Sequence, residues 1–426
     1  MGNIFTKIRN KFKKIGPGFI TGAADDDPSG IATYSIAGAQ YGYKMNWMTI
    51  FLLPAMIVIQ EMCGRVGKTS GRGLAGVIKK YHSKRLLFLA VTLLAVANII
   101  NIGADLGIIA SSIQMIFGWE FYVWLIVAGV AIILMEIIIP YKKYANILKW
   151  LALSLLVYVV TAFMVKQNWA QVATYTLIPH INFDLGYIMT MIGFLGTTIS
   201  PYLFFWQASE EVEEEIDEGE IKDFNIHPET TRGEIKKLGF DTKVGMVFSN
   251  LMTFFIILTT AATLHANGIT SIETPQQAAL ALRPLAGNFA YFLFAIGIIG
   301  IGLQSIPVLA GSIGYAISEA IGAKEGLSKK FSKAKTFYII IAAATIIGLM
   351  MNLAQINIMK ALYYAAVVNG IAAVPLIAII IKLADDERIV GKFKTKKRSK
   401  VVAWITFGFM LMAVLLMIYQ ITQSSP

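Results

Sequence analysis

The sequence predicts an all-α polytopic membrane protein, and three observations carry that expectation. Of 426 residues, 56% are hydrophobic and only 15% charged, against about 25% charged in a soluble globular chain. The apolar residues gather into runs of about 20, the length of a bilayer-spanning helix. Of the 37 Lys and Arg residues, 33 fall in alternate segments between those runs, as positively charged loops do on the cytosolic side of a membrane. The net charge of +11 is therefore read as an orientation signal and not as a nucleic-acid surface. The single cysteine, Cys63, forms no internal disulfide. No P-loop, catalytic triad or deaminase signature is present, so no enzyme activity and no cofactor are expected.

Eleven spans are predicted, at 18–43, 46–64, 86–117, 121–140, 148–166, 186–207, 244–265, 288–320, 337–357, 361–382 and 401–421. With the N-terminus cytosolic, only Lys44, Lys166, Arg283 and Lys360 fall outside, and the C-terminus is external. The chain is thus expected in the cell membrane, with the lipid bilayer as its surroundings and no obligate protein partner. Residues 1–17 form a basic amphipathic cytosolic segment.

The first span reads GPGFITGAADDDPSGIATYSIAGAQYGY. Pro28 removes a backbone donor and clashes with the preceding turn, so the helix breaks near Asp27. Asp25, Asp26 and Asp27 lie inside an apolar stretch, where each carboxylate costs roughly 2.5–3.5 kcal/mol on insertion scales. They should face protein or a wet cavity. Asp25 and Asp26 cannot both share Asp27's orientation, because helical neighbours are about 100° apart. One is expected at the entry vestibule and the other against a helix partner.

In the second and fourth spans, Glu61 and Glu136 lie near the cytosolic ends beside basic loops and are read as surface ion pairs. In the third, Asn98 and Asn101 are read as interhelical hydrogen-bonding amides. The sixth span, GFLGTTISPYLFFWQ, carries a second break at Pro201, with Thr197, Thr198 and Ser200 beside it. Pro28 and Pro201 are 173 residues apart. Interrupted helices at matching positions of two repeats mark a transporter's central site. Carbonyls freed there, with a carboxylate, make a hard-cation site. The following loop, 208–243, opens with SEEVEEEIDEGE and is read as a solvated helical extension, the alternative being an acidic collar that collects cations.

These motifs resemble the Nramp family of divalent-metal transporters. The first span resembles that family's first helix, with Asp-Pro-Gly-Asn at the break and Gly-Ala-Gln-(Phe/Tyr)-Gly-Tyr after it. The sixth is similar to the family's Gly-Ala-Thr-Val-Met-Pro-His-Asn. The eighth, GIGLQSIPVLAGSIGYAISEAIG, resembles its transport signature, with Gln304, Ser305 and Glu319 in register. The resemblance implies a leucine-transporter-type fold: two inverted five-helix repeats, 18–166 and 186–382, with helices 1 and 6 broken and an eleventh span at 401–421. It implies that Asp27 binds metal. The position of the alanine whose carbonyl binds metal is Thr197, and the methionine ligand's is Ser200. The family's asparagine falls at Gly30, so one oxygen ligand is missing and the site is widened. Along the family's proton pathway, Asp105 stands for a glutamate, Ile102 for an aspartate and Tyr202 for a histidine, and the ninth span has no arginine. Asn369 is on the tenth helix, which lines the cavity in this fold.

The departures resemble the divergent Nramp-related magnesium transporters. Exchanging a soft sulfur for a hydroxyl hardens the site. An oxygen-lined site suits Mg²⁺, which keeps several waters. The expectation is a carrier of Mg²⁺, and also Mn²⁺, working by alternating access with little or no proton coupling. The alternatives are a proton-coupled Mn²⁺/Fe²⁺ importer and an Nramp-like membrane sensor.

Overall fold

The structure is a computed structural model that describes residues 16–139 and 155–424. The basic N-terminal segment, the loop at 140–149 and the start of the fifth predicted span lie outside the described residues.

The first predicted span is two helices, α1 (Pro17–Asp25) and α2 (Pro28–Tyr41). The break arises locally. Asp27 is the extended N-cap of α2, its carboxylate accepts from the Gly30 amide, and Pro28 occupies the first helical position, where a missing N–H costs nothing. The chain continues through α3 (Trp47–Ser70), the short α4 (Leu74–Tyr81), α5 (Lys84–Phe117), α6 (Phe121–Ile138), α7 (Leu156–Met164) and α8 (Trp169–Leu177). The sixth predicted span is also two helices, α9 (Leu185–Thr198) and α10 (Pro201–Glu218), with Pro201 again at the first helical position. Then come α11 (Arg232–Thr263), α12 (Ala290–Ile321), α13 (Lys335–Met351), α14 (Ile358–Leu383) and α15 (Lys397–Ser424). Among the described residues, nine stretches are long and apolar enough to cross a membrane. The halves α1 and α2 and the short α7 are not among them.

Both broken helices sit at the centre. α1 and α2 pack along α11, α10 on α3, and α9 on α14, while α5 and α12 form the other major pair. α6, α13 and α15 lie outside and expose Ile126, Val130, Ile339, Ile346, Ile405 and Met412, the apolar face a bilayer requires. Contacts among the described residues gather loops at two ends of the bundle. At one end, Arg65 Nη1 donates to the Phe393 carbonyl, Thr230 Oγ1 to the Lys68 carbonyl, and Ser328 Oγ to Glu213. At the other, Tyr43 Oη donates to Gln167 and Asn357 Nδ2 to the Glu273 carbonyl. The basic loops among the described residues meet at the first end.

Two expectations are corrected. The helical extension after the second break exists, since α10 runs to Glu218, and its last turn is exposed, but most of its acids before that turn are not solvated. Glu210, Glu211, Glu213 and Glu215 are buried. Packing of α10 against α3 and α12 encloses them, and donors come with it: Glu213 accepts from Tyr315 Oη, the Leu327 amide and Ser328 Oγ. Lys68 on α3 lies 3.7 Å from both Glu214 and Glu215. Among the described residues Glu136 forms no ion pair. It lies on the inward face of α6, buried, and neither carboxylate oxygen has a hydrogen-bond partner among the described residues. Glu61 does pair, with Arg65 at 2.5 Å.

Candidate cation site at the helix breaks

Asp27 is 1% exposed. Its Oδ1 accepts from the Gly30 amide at 2.6 Å and from Ser29 Oγ at 2.8 Å, and its Oδ2 accepts from Asn101 Nδ2 at 2.6 Å. The first two contacts follow from N-capping, and the positive end of the α2 dipole faces the same carboxylate. The third comes from α5. Both amides make the interhelical hydrogen bonds expected of them: Asn101 does so at this site, and Asn98 does so away from it, donating to the Leu309 carbonyl and to Ser312 Oγ. The available signal was spacing: Asn101 and Asp105 are four residues apart and share a helix face. Asp105, also fully buried, accepts from Ser305 Oγ at 3.3 Å through Oδ2, and its Oδ1 is unpartnered.

Thr197 arrives from the second break. An ideal Cβ on Gly30 would lie 2.7 Å from Thr197 Oγ1 and 3.2 Å from Asp27 Oδ1. The space at Gly30 is thus filled by the Thr197 hydroxyl and is not a simple widening. That hydroxyl is buried with no hydrogen-bond partner, so an oxygen stands free beside Asp27. The Thr197 carbonyl accepts from Ser200 Oγ at 2.9 Å, and the Gly196 carbonyl from the same hydroxyl at 2.5 Å. The Ser200 proton thereby caps the end of α9, and its lone pairs remain available. Tyr202 does the same for the first break, donating from Oη to the Ala24 carbonyl at 2.9 Å. Both hydroxyls at the start of α10 satisfy carbonyls that helix termini leave open.

Asp25 and Asp26 do not divide between a vestibule and a helix partner. Both are fully buried and both approach Ser249 on α11. Sequence reasoning did not single out Ser249, since one serine in an apolar span carries no local signal. Asn369 is fully buried on α14 with both amide atoms unpartnered, and Gln304 is buried on α12 with Oε1 unpartnered. The structure brings neither into hydrogen-bonding contact with Asp27. Among the described residues no three His, Cys, Asp or Glu side chains converge as a metal-holding group. An ion at Asp27 would complete its shell from hydroxyls, carbonyls and water.

A family model described as natural resistance-associated macrophage protein-like, Nramp, matches residues 18–420. The divalent metal cation transporter MntH of Klebsiella pneumoniae is 25% identical over 316 residues, covering 71% of each chain. That of Yersinia pestis is 26% identical over 313 residues, covering 71% of this chain and 72% of its own. The Eremococcus coleocola manganese transporter, in complex with an aromatic bis-isothiourea compound, superimposes with a TM-score of 0.74 at 16% identity, over 97% of this chain and 88% of that one. Mhp1, a nucleobase-cation-symport-1 family transporter in a closed conformation, gives a TM-score of 0.62 at 11% identity, over 96% and 93%. The last two are likenesses of fold.

Proposed function

This chain belongs to the Nramp family, and from that premise we propose that it carries divalent metal cations across the membrane by alternating access, with Mg²⁺ as the favoured ion. The observation that carries this reading is Asp27. Its buried carboxylate sits between two broken helices, held by three N–H and O–H donors and by no basic side chain among the described residues. A carboxylate kept at that depth without a counter-charge is costly unless a cation visits it. The relatives named as divalent metal cation transporters support the substrate class.

Two features support magnesium. The donors gathered at the breaks, from Asp27, Thr197 and Ser200, are all oxygen, and soft sulfur is what selects transition metals. The donor set is also sparse in protein ligands, which suits an ion that dehydrates reluctantly. The same geometry supports weak proton coupling. Tyr202 caps a helix end, and Ile102 is a buried apolar residue. The basic end of the bundle is then the cytosolic end.

Flux through purified protein in liposomes tests this, with Mg²⁺, Mn²⁺ and Ca²⁺ compared and internal pH monitored. Asp27→Ala should lower divalent uptake to background while the protein still folds; near wild-type flux would remove Asp27 from the site. Ser200→Met should raise the Mn²⁺/Mg²⁺ ratio. Mg²⁺ uptake should proceed without stoichiometric acidification. Metal-dependent acidification that disappears in Asp105→Asn would instead establish a proton-coupled Mn²⁺/Fe²⁺ importer.

A further inference from the structure

Asp27 faces α5, whereas Asp25 and Asp26 face α11, so the three successive carboxylates serve two walls of the bundle. Ser249 Oγ lies 2.5 Å from Asp25 Oδ2 and 3.2 Å from Asp26 Oδ1. A hydroxyl has one proton and donates it to one acceptor at a time. The remaining oxygens, Asp25 Oδ1 and Asp26 Oδ2, have no partner. One turn along α11 from Ser249, Thr253 is fully buried beside the Asp26 carboxylate. Its hydroxyl is directed at that carboxylate and has no other partner. No Lys, Arg or His side chain among the described residues compensates either aspartate. Two buried carboxylates therefore have only the Ser249 and Thr253 hydroxyls facing them, and an oxygen of each is left without a partner.

We propose that Asp25, Asp26, Ser249 and Thr253 form a second divalent-cation site, separate from the one at Asp27. The donors are exclusively oxygen, which selects hard cations such as Mg²⁺ and Ca²⁺. The two carboxylates balance a charge of +2, which a monovalent ion would leave half uncompensated. Ser249 and Thr253 are four residues apart on one face of α11, so both hydroxyls approach the ion from the same wall. An ion here joins the end of α1 to the middle of α11 and does not require that Asp27 carry the transported ion.

Equilibrium dialysis of the full-length purified protein in lipid nanodiscs against Mg²⁺, with bound metal counted per chain, tests the site. Wild type should bind two ions, Asp27→Ala one, and Asp25→Asn with Asp26→Asn one. Where the double aspartate variant fails to fold, Ser249→Ala with Thr253→Val decides. It should weaken one of the two sites about tenfold and leave the other unchanged. A wild-type count of one that falls to zero in Asp27→Ala would overturn the proposal and leave the transport reading intact. Displacement of the second Mg²⁺ by an equal concentration of Na⁺ would overturn the divalent assignment. Conversely, flux surviving in Asp27→Ala would refute the transport reading without altering a count of two.

Discussion

Gly30 and Thr197 occupy one space from opposite breaks, and their contact makes the chemistry at Asp27 a joint property of two helices. An added methyl at Gly30 meets Thr197 Oγ1 at 2.7 Å, too close for van der Waals contact, so one group must move. Gly30→Ala should destabilise the protein by about 1–3 kcal/mol, the usual cost of overpacking. Thr197→Ala in the same chain should recover most of that loss, since residues in direct contact are non-additive. Thermal unfolding of the two single variants and the double variant checks the coupling; strictly additive losses would show that the two side chains do not compete. The same contact bears on restoring the family's asparagine at Gly30. That side chain cannot add its oxygen until the threonine is shortened.

The crossing of α1 and α11 rests on glycine. Gly18 and Gly22, four residues apart on α1, face Thr242 and Gly245 on α11; an ideal Cβ on Gly18 would lie 2.6 Å from the Thr242 amide, and one on Gly22 would overlap the Gly245 backbone. Small residues at this spacing let membrane helices approach closely. Asp241 fastens the start of the same helix, accepting from the Gly16 and Phe19 amides at 3.3 and 3.2 Å. Gly22→Ala should therefore cost about 1–3 kcal/mol. Gly408→Ala on α15, where nothing lies within 4 Å, should be neutral or stabilising by up to about 1 kcal/mol. Equal melting temperatures for the two variants would mean the α1–α11 contact is looser than described. The short α4 shows the complementary device. Its N-cap, Gly73, has no side chain to cap with, and Glu319 of α12 supplies the carboxylate, accepting from the Gly73 and Gly76 amides at 2.5 and 2.9 Å. A residue that the resemblance placed in a transport signature thus closes a helix end.

At the scale of the bundle, contacts sort the described loops into two sets, with the described basic loops together at one end. Acids at the end of α10 and in the loop after it meet them there: Lys237 bridges Glu214 and Glu218 at 3.3 and 3.4 Å, and Lys329 reaches Asp223 at 2.5 Å. The positive-inside rule assigns that end to the cytosol. Because Cys63 is the one cysteine and is buried, single cysteines placed in a Cys63→Ala background report sidedness directly. A membrane-impermeant maleimide on intact cells should label Lys44→Cys and spare Lys330→Cys until the membrane is permeabilised. The reverse pattern would invert the topology. Both positions are exposed, so accessibility reflects the side of the membrane alone.

The sequence by itself determined the membrane class and the sites of both helix breaks. Each rests on interactions that act locally or on composition: a proline without an N–H, an aspartate capping three residues ahead, the cost of charge in hydrocarbon. Asp27 was legible for that reason. Only the tertiary structure decided what each buried polar group meets. Asn101 joins Asp27 across 74 residues, Tyr202 reaches Ala24 across 178, and Ser249 reaches Asp25 across 224. The same is true of the burial of Glu136 and of the α10 glutamates, whose charged letters read as solvated. A helix's rotation about its axis, and hence the face each side chain presents, is set by packing summed over all its neighbours, and no window of adjacent residues contains that sum.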